Sequence, residues 1–159
     1  MSSKGKLVEC LKRLGIKPKL ETFGERKLLQ KLVYLLQVSG VRLNFHYNWY
    51  LHGPYSPSLT RTLYEIVESG SLPHEELSNS DIARIDKLRS FLGEDINSPD
   101  RLELLVSIHY LRERARTIGA SDAEVTTLIQ NAKPYFSQKE LEESWQKSTE
   151  LDEINSFHS

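Results

Sequence analysis

The chain lacks most features that would assign it quickly to a chemical class. Its 159 residues include one cysteine, so no disulfide can form within the chain. Charges nearly cancel, with a formal net charge of −1 at pH 7, whereas general nucleic-acid binders usually carry a basic excess. No apolar run has the length of a transmembrane helix or the form of a signal-peptide core. These absences predict a cytoplasmic protein with no membrane partner.

Catalytic and metal-binding signatures are also missing. There is no nucleotide-binding glycine loop and no Ser-His-Asp order. His46 and His52 fall on one predicted strand, where six residues span roughly 20 Å at ~3.3 Å per residue, too far for one ion. No Asp or Glu lies near either histidine in the sequence. We therefore expect no catalytic residue, no metal and no cofactor.

Helix-forming patterns cover most of the chain. Apolar residues at helical spacing, followed by glycine, predict helices over 4–14 and 25–39, with Cys10 buried in the first. In the second of these helices, Arg26, Lys27, Gln30, Lys31 and Gln37 form the polar face opposite an apolar stripe. Ser56-Pro57 has the form of an N-cap followed by proline at the first helical position, and starts a helix that ends at Gly70. Later helices are predicted over 80–92, from Ser98-Pro99 to Gly119, and after the capping boxes Ser121/Glu124 and Ser137/Glu140.

The segment from Phe45 to Leu63, reading FHYNWYLHGPYSPSLTRTL, stands apart from these helical patterns. Its first residues alternate, which predicts a strand with Phe45, Tyr47, Trp49 and Leu51 facing the core. Gly53-Pro54 ends this strand in a rigid turn. A second strand over 70–76 is predicted to pair with the first.

Together these elements predict a mainly α fold. The N-terminal half, 4–77, is expected to be winged-helix-like with a small β-hairpin, packed against C-terminal helices over 78–154. We expect a single domain over 1–154 and a flexible tail over 155–159.

The aromatic segment is the best candidate for a binding surface. Tyrosine and histidine suit interfaces because they bury a large area and still satisfy a hydrogen bond. We expect a non-enzymatic regulatory or interaction module whose partner is another protein, with a homodimer as a further possibility. The residues expected to bind the partner are Tyr50, His52, Gly53, Pro54, Tyr55 and Ser56, supported by Lys27, Gln30, Lys31 and Tyr34.

Two other functions stay open. The helix after Ser56 could read DNA, since such helices contact bases and phosphates near their N-terminus. That alternative, a winged-helix transcriptional regulator, would use Ser58, Thr60 and Arg61 with Lys27 and Lys31. An enzyme using His52 with Tyr50 or Tyr55 is the third possibility, and it lacks a neighbouring carboxylate or nucleophile in the sequence.

Three blocks of the sequence resemble the YwgA-type family of small prokaryotic proteins. They are RKLLQKLVYLLQ (26–37), YLHGPYSPSL (50–59), and LELLVSIHYL (102–111) taken with KPYFSQKELEESW (133–145). More distantly, the first two blocks resemble the Panacea (SocA-like) domain, from whose Y-G-P turn this chain departs at His52. The resemblance implies an antitoxin-like or adaptor-like interaction protein, and for some relatives a winged-helix-like regulator. It carries no catalytic residues over to this chain.

Overall fold

A computed structural model describes residues 4–70 and 74–156. In this part of the chain, seven α-helices surround one short β-hairpin, so the predicted mainly α fold with a small hairpin is confirmed. The elements are α1 Lys4–Leu14, α2 Phe23–Val38, β1 Asn48–Tyr50, β2 Gly53–Tyr55, α3 Pro57–Glu68, α4 Asn79–Leu92, a 3-10 turn Gly93–Asn97, α5 Pro99–Ile118, α6 Asp122–Ala132 and α7 Gln138–Ser156. No helix among the described residues has the length and apolar character needed to cross a membrane.

Local capping chemistry sets the helix ends, as the sequence predicted in most places. The Ser-Pro starts of α3 and α5 and the capping boxes of α6 and α7 are all confirmed. Two helices, α2 and α4, begin earlier in the chain than predicted. A capping box between Thr22 and Glu25 begins α2 at Phe23, and Ser78 caps α4, because each of these side chains accepts a backbone N–H of the first turn. At the C-terminus α7 continues to Ser156, so residues 155 and 156 of the predicted tail are helical, and 157–159 lie outside the described residues.

The hairpin is shorter and more local than predicted. Asn48–Tyr50 pairs antiparallel with Gly53–Tyr55, and Leu51-His52 forms the two-residue loop between them. The predicted partner over 70–76 was wrong where it can be compared: Gly70 and 74–76 are not in a strand, and 71–73 lie outside the described residues. Pairing across two residues requires the least loop closure, which favours the nearer partner.

Alternation along the extended segment is confirmed up to Tyr47 and wrong beyond it. Phe45 and Tyr47 are buried as predicted. Trp49 is one third exposed and Leu51 at the hairpin tip is 85% exposed, because the chain turns back on itself before these side chains can reach the core.

Two central helices organise the core. Helix α2 packs on α5, which in turn packs on α6 and α7, while α1 packs on α4. Residues 29–36 of α2 and 102–109 of α5 are buried without interruption, so both helices are enclosed on all sides over these segments. Cys10 is fully buried between α1 and its neighbours, as predicted, and burial raises the pKa of its thiol to about 12.

Candidate functional site

The hairpin, α2 and α3 enclose a cavity of about 440 Å³, here called the hairpin cavity. It lies beside the segment that the sequence singled out. Its lining residues are Leu20, Phe23, Arg26, Lys27, Gln30, Lys31, Tyr50, Leu51, His52, Gly53, Tyr55, Thr60, Leu63 and Tyr64.

One wall of the hairpin cavity is polar and comes from α2. Arg26 and Gln30 are four residues apart, and so are Lys27 and Lys31, which places all four on neighbouring parts of one helical face. The opposite wall comes from the hairpin and α3 and is mainly aromatic and aliphatic. The cavity therefore has a cationic side and an apolar side.

Gln30 ties α2 to the start of α3. Its amide nitrogen donates to Ser56 O at 3.0 Å and to Thr60 Oγ1 at 2.9 Å, and its amide oxygen accepts from Ser56 N at 2.9 Å. Tyr47 adds a bond to the backbone carbonyl of Gln30 at 2.7 Å. Because both ends of the amide are used, Gln30 anchors the chain that leaves the hairpin.

Lys31 anchors the hairpin through two of its backbone carbonyls. Its Nζ donates to His52 O at 2.8 Å and to Pro54 O at 2.7 Å, and the side chain is almost wholly buried. Burial, together with the nearby charges of Lys133 and Lys27, lowers the pKa of Lys31 to about 7, although Glu103 opposes this shift. The ammonium therefore titrates near neutral pH.

A buried carboxylate from α5 lies behind this wall. Glu103 Oε1 accepts from Lys27 at 2.9 Å, and Glu103 Oε2 accepts from Lys133 at 2.7 Å and from the Tyr135 hydroxyl at 2.5 Å. Burial opposes its ionisation, but these hydrogen bonds outweigh burial and lower the pKa of Glu103 to about 2. Lys27 also pairs with Asp100 at 2.7 Å. We call Lys27, Lys31, Glu103, Lys133 and Tyr135 the hairpin cluster.

The tertiary structure changes the environment that the sequence suggested for His52. No carboxylate is close to it in the sequence, yet its Nδ1 lies 3.7 Å from Glu103 Oε1. The ring also packs on Phe23, with centroids 4.7 Å apart. His52 thus joins the rim of the hairpin cavity to the hairpin cluster.

Gly53 is required where β2 crosses α5. Its φ of +90° lies in the region that favours glycine, and a Cβ there would lie 2.4 Å from Ser107 Oγ. Ser107 is fully buried, and its hydroxyl has no hydrogen-bond partner among the residues described. The hairpin consequently approaches α5 more closely than any side chain at position 53 allows.

An apolar rim surrounds the mouth of the cavity. Phe23, Tyr50, Leu51 and Tyr64 each expose more than a third of their surface. Tyr50 stacks edge-on against Tyr55, whose hydroxyl hydrogen-bonds Thr60 Oγ1 at 2.5 Å. Exposed apolar groups around a recess are typical of binding sites.

Several residues expected to contact a partner are buried. Tyr50 is exposed, and His52 and Tyr55 are half-buried and line the cavity, as an edge for recognition requires. The polar face predicted for α2 was wrong for Gln30 and Lys31, which are buried because α2 is central in the fold. Four further residues expected to bind the partner are also buried: Gly53, Pro54, Ser56 and Tyr34.

Residues of the DNA-binding alternative do not share one open face. Arg61 is exposed on α3. Thr60 is engaged by Gln30 and Tyr55, and Ser58 Oγ lies 3.1 Å from Ser56 Oγ. Lys31 is buried, and Lys27 is paired with two carboxylates.

A second ionisable cluster lies between α5 and α7. His109, Glu113 and Asp152 come close enough to offer ligands to one ion. However, Arg112 and Arg116 donate to Asp152 at 3.0 and 3.1 Å, and Arg116 also pairs with Glu113. Two guanidinium groups already neutralise these carboxylates, so the donor set does not suit a metal. Tyr34, His109, Arg112, Arg116 and Asp152 are called the α7 cluster.

The sequence reasoning missed Phe23, Tyr64 and Glu103. A signal for Glu103 was present, because an acidic residue inside the apolar run LELLVSI must be buried if the run forms a central helix. No comparable signal identified Phe23 or Tyr64 as part of a cavity, since exposed aromatics are common on helices.

Comparisons of the chain with protein-family models, with curated proteins and with solved structures gave no match.

Proposed function

We propose that this protein is a non-enzymatic interaction module that receives an apolar segment of a partner protein in the hairpin cavity. The observation that carries the proposal is an open, partly aromatic cavity built on a hydrogen-bonded frame. Gln30 anchors the chain that leaves the hairpin at Ser56, and Lys31 anchors His52 and Pro54 within the hairpin. A preorganised recess loses little conformational entropy when a ligand binds.

The resemblance of blocks 26–37 and 50–59 supports an antitoxin-like or adaptor-like role, since such proteins act by binding other proteins. The single buried cysteine fits a reducing compartment such as the cytoplasm. We therefore place the interaction there.

Two observations favour protein binding over the alternatives. For DNA, the residues that would accompany Arg61 are buried or already paired. For an enzyme, Glu103 does stand beside His52, but a carboxylate whose pKa is about 2 is a poor proton acceptor. Neither alternative makes use of the apolar rim.

A peptide-display selection tests the proposal. The full chain is used as bait for a random peptide library, and enriched sequences are synthesised and titrated by calorimetry. We expect an enriched motif with an aromatic or aliphatic anchor. Its affinity should fall at least about tenfold for Leu51→Ser/Tyr64→Ser, because removing two apolar contacts costs that much or more.

A matched control separates this effect from a general loss of surface apolarity. Ile118 and Leu128 are exposed apolar side chains that do not line the cavity, so Ile118→Ser/Leu128→Ser should bind the same peptides as the wild type. The proposal fails if no motif is enriched, or if both double variants bind with equal affinity.

A further inference from the structure

The charges lining the hairpin cavity are all of one sign. Arg26, Lys27 and Lys31 line it with His52, and none of the described residues that line it is Asp or Glu. A recess that binds only apolar groups needs no excess of positive charge. The cations should therefore influence which ligand binds, provided that other groups of the protein do not already neutralise them.

Pairing within the hairpin cluster neutralises Lys27 but not Lys31. Glu103 and Asp100 supply two negative charges, and Lys27 and Lys133 supply two positive charges in direct contact with them. Lys31 contacts two backbone carbonyls instead, and no ion pair within 4 Å joins it to a carboxylate of residues 4–70 or 74–156. Its ammonium is an additional buried positive charge.

Arg26, at the mouth of the cavity, likewise contacts neutral carbonyl groups. Its Nη1 donates to the carbonyls of Leu20 and Glu21 at 2.8 and 3.3 Å. Glu25, its sequence neighbour, is engaged in the capping box with Thr22. The cavity thus contains two cations whose recorded partners among the described residues are neutral carbonyl groups.

Arg26 and Lys31 each retain N–H groups that are not used in these hydrogen bonds. An ammonium carries three N–H groups, and Lys31 directs two of them at His52 O and Pro54 O. A guanidinium carries five N–H groups, and only Nη1 of Arg26 has recorded acceptors. Donors on a charged group make the strongest hydrogen bonds with a carboxylate.

We propose, building on the function proposed above, that the bound segment carries an acidic side chain beside its apolar anchor, received by Arg26 and Lys31. The anchor packs against the apolar wall of Tyr55, Leu63 and Tyr64 while the carboxylate faces α2. Rim residues come from α2, the hairpin and α3. The proposal assigns the carboxylate to an Asp or Glu side chain and not to a C-terminus.

Proton linkage follows from the position of Lys31. Three basic side chains face Lys31: Lys27 on α2, Lys133 before α7 and His52 in the hairpin. Glu103 on α5 is the one carboxylate of the cluster. A carboxylate brought to Lys31 favours its charged form, so binding takes up a proton near neutral pH. Affinity should fall as the pH rises from 6.5 to 8.5.

The test uses the peptides enriched by the wild-type chain, each paired with an analogue in which Asp or Glu is replaced by the corresponding amide. We expect the amide to bind at least fivefold more weakly, and Arg26→Gln to reduce that difference. Arg61→Gln is the matched control, because Arg61 is an exposed arginine of α3 that does not line the cavity. Buffer-dependent calorimetry on the wild type measures proton uptake without a Lys31 variant, which could loosen the hairpin.

Each outcome separates this inference from the function on which it rests. Cavity-dependent peptides with no acidic residue, or a difference below fivefold between acid and amide, overturn the inference and leave the proposed function intact. Peptides whose essential carboxylate is the free C-terminus overturn the assignment to an acidic side chain. A selection with no cavity-dependent peptide overturns both proposals.

Discussion

Two clusters of buried ionisable groups lie on α5, and they balance their charges differently. In the hairpin cluster, three lysines surround one carboxylate, Glu103, which is 1% exposed. In the α7 cluster, Asp152 is a quarter exposed and meets two arginines, one of which is also paired with Glu113. The first cluster lies beside a cavity and retains excess positive charge. The second has the balanced charges of a structural link between helices.

The comparison shows that burial alone does not identify a binding site. Both clusters contain groups with shifted pKa values: burial lowers the pKa of His109 in the α7 cluster as it lowers that of Lys31 in the hairpin cluster. What distinguishes them is whether the charges are compensated within the protein and whether a cavity adjoins them. Changes made in parallel in the two clusters can measure this difference.

The largest difference is expected when each cluster loses its carboxylate charge. Glu103→Gln leaves Lys133 without a counter-ion in a buried site and Lys27 with Asp100 alone, which should lower the free energy of unfolding by about 3–5 kcal/mol. Asp152→Asn should cost about 1 kcal/mol or less, because its partners reach solvent. Urea denaturation of both variants measures the two values. Equal losses would contradict the distinction between the clusters.

A second difference concerns the close approach of the hairpin to α5. Gly53→Ala combines an unfavourable φ of +90° with a Cβ 2.4 Å from Ser107 Oγ, and should cost about 2–4 kcal/mol. Gly70→Ala is the control, since its φ is +73° and no atom of the described residues lies within 4 Å of the added Cβ, so strain alone should cost about 1–2 kcal/mol. Thermal denaturation compares them.

Removing the Ser107 hydroxyl should remove most of the additional stability cost that Gly53→Ala has over Gly70→Ala. In a Ser107→Ala background the nearest side-chain carbon of residue 107 lies at an ordinary contact distance of 3.7 Å. Gly53→Ala should then cost no more than Gly70→Ala. Ser107→Ala alone should be neutral or slightly stabilising, because the hydroxyl has no recorded partner. A Gly53→Ala cost unchanged by the background would exclude the clash as its cause.

The smallest effects are pH-dependent, and the two clusters act in different windows. The folded-state pKa of Lys31 is about 7, below its unfolded value, so the unfolded chain binds more protons above pH 7 and stability rises with pH. The pKa of His109 is also lowered in the folded state, so its contribution is present above about 6.5 and is lost as the pH falls below that value.

Stability measured by denaturation between pH 5 and 9 tests these windows. Burial raises the folded-state pKa of the Cys10 thiol, so its ionisation in the unfolded chain opposes the rise above about pH 8.5, and it does so equally in the wild type and in both variants. Lys31→Met should flatten the rise between pH 7 and 9 and leave the low-pH loss unchanged, whereas His109→Gln should do the reverse. A slope between pH 7 and 9 that persists in Lys31→Met would assign it to another group.

Much of the secondary structure follows from short stretches of sequence. Ser56-Pro57, Ser98-Pro99 and the later capping boxes start helices because each motif satisfies backbone N–H groups a few residues away. The alternation of Phe45 and Tyr47 was likewise enough to predict their burial. In each case the interacting groups are neighbours in the chain.

The site itself could be predicted only in part. Tyr50, His52 and Tyr55 were expected at one edge, and all three line the hairpin cavity because they fall on one short segment. The burial of Lys31 and the approach of Glu103 to His52 could not be predicted. Each depends on which helices become central, and sequence spacing within one helix does not contain that information.

Local sequence thus decides where the helices begin and end, that the fold is mainly α, and that an aromatic segment with a rigid turn joins α2 to α3. Tertiary packing decides the rest. By enclosing α2 and α5 on all sides, it converts a lysine and a glutamine of a polar face into buried anchors of the hairpin. It also brings Glu103 to Lys27 and Lys133, 76 and 30 residues away in the chain. The cost of burying a charge far exceeds any local propensity, so these long-range contacts determine the chemistry of the cavity.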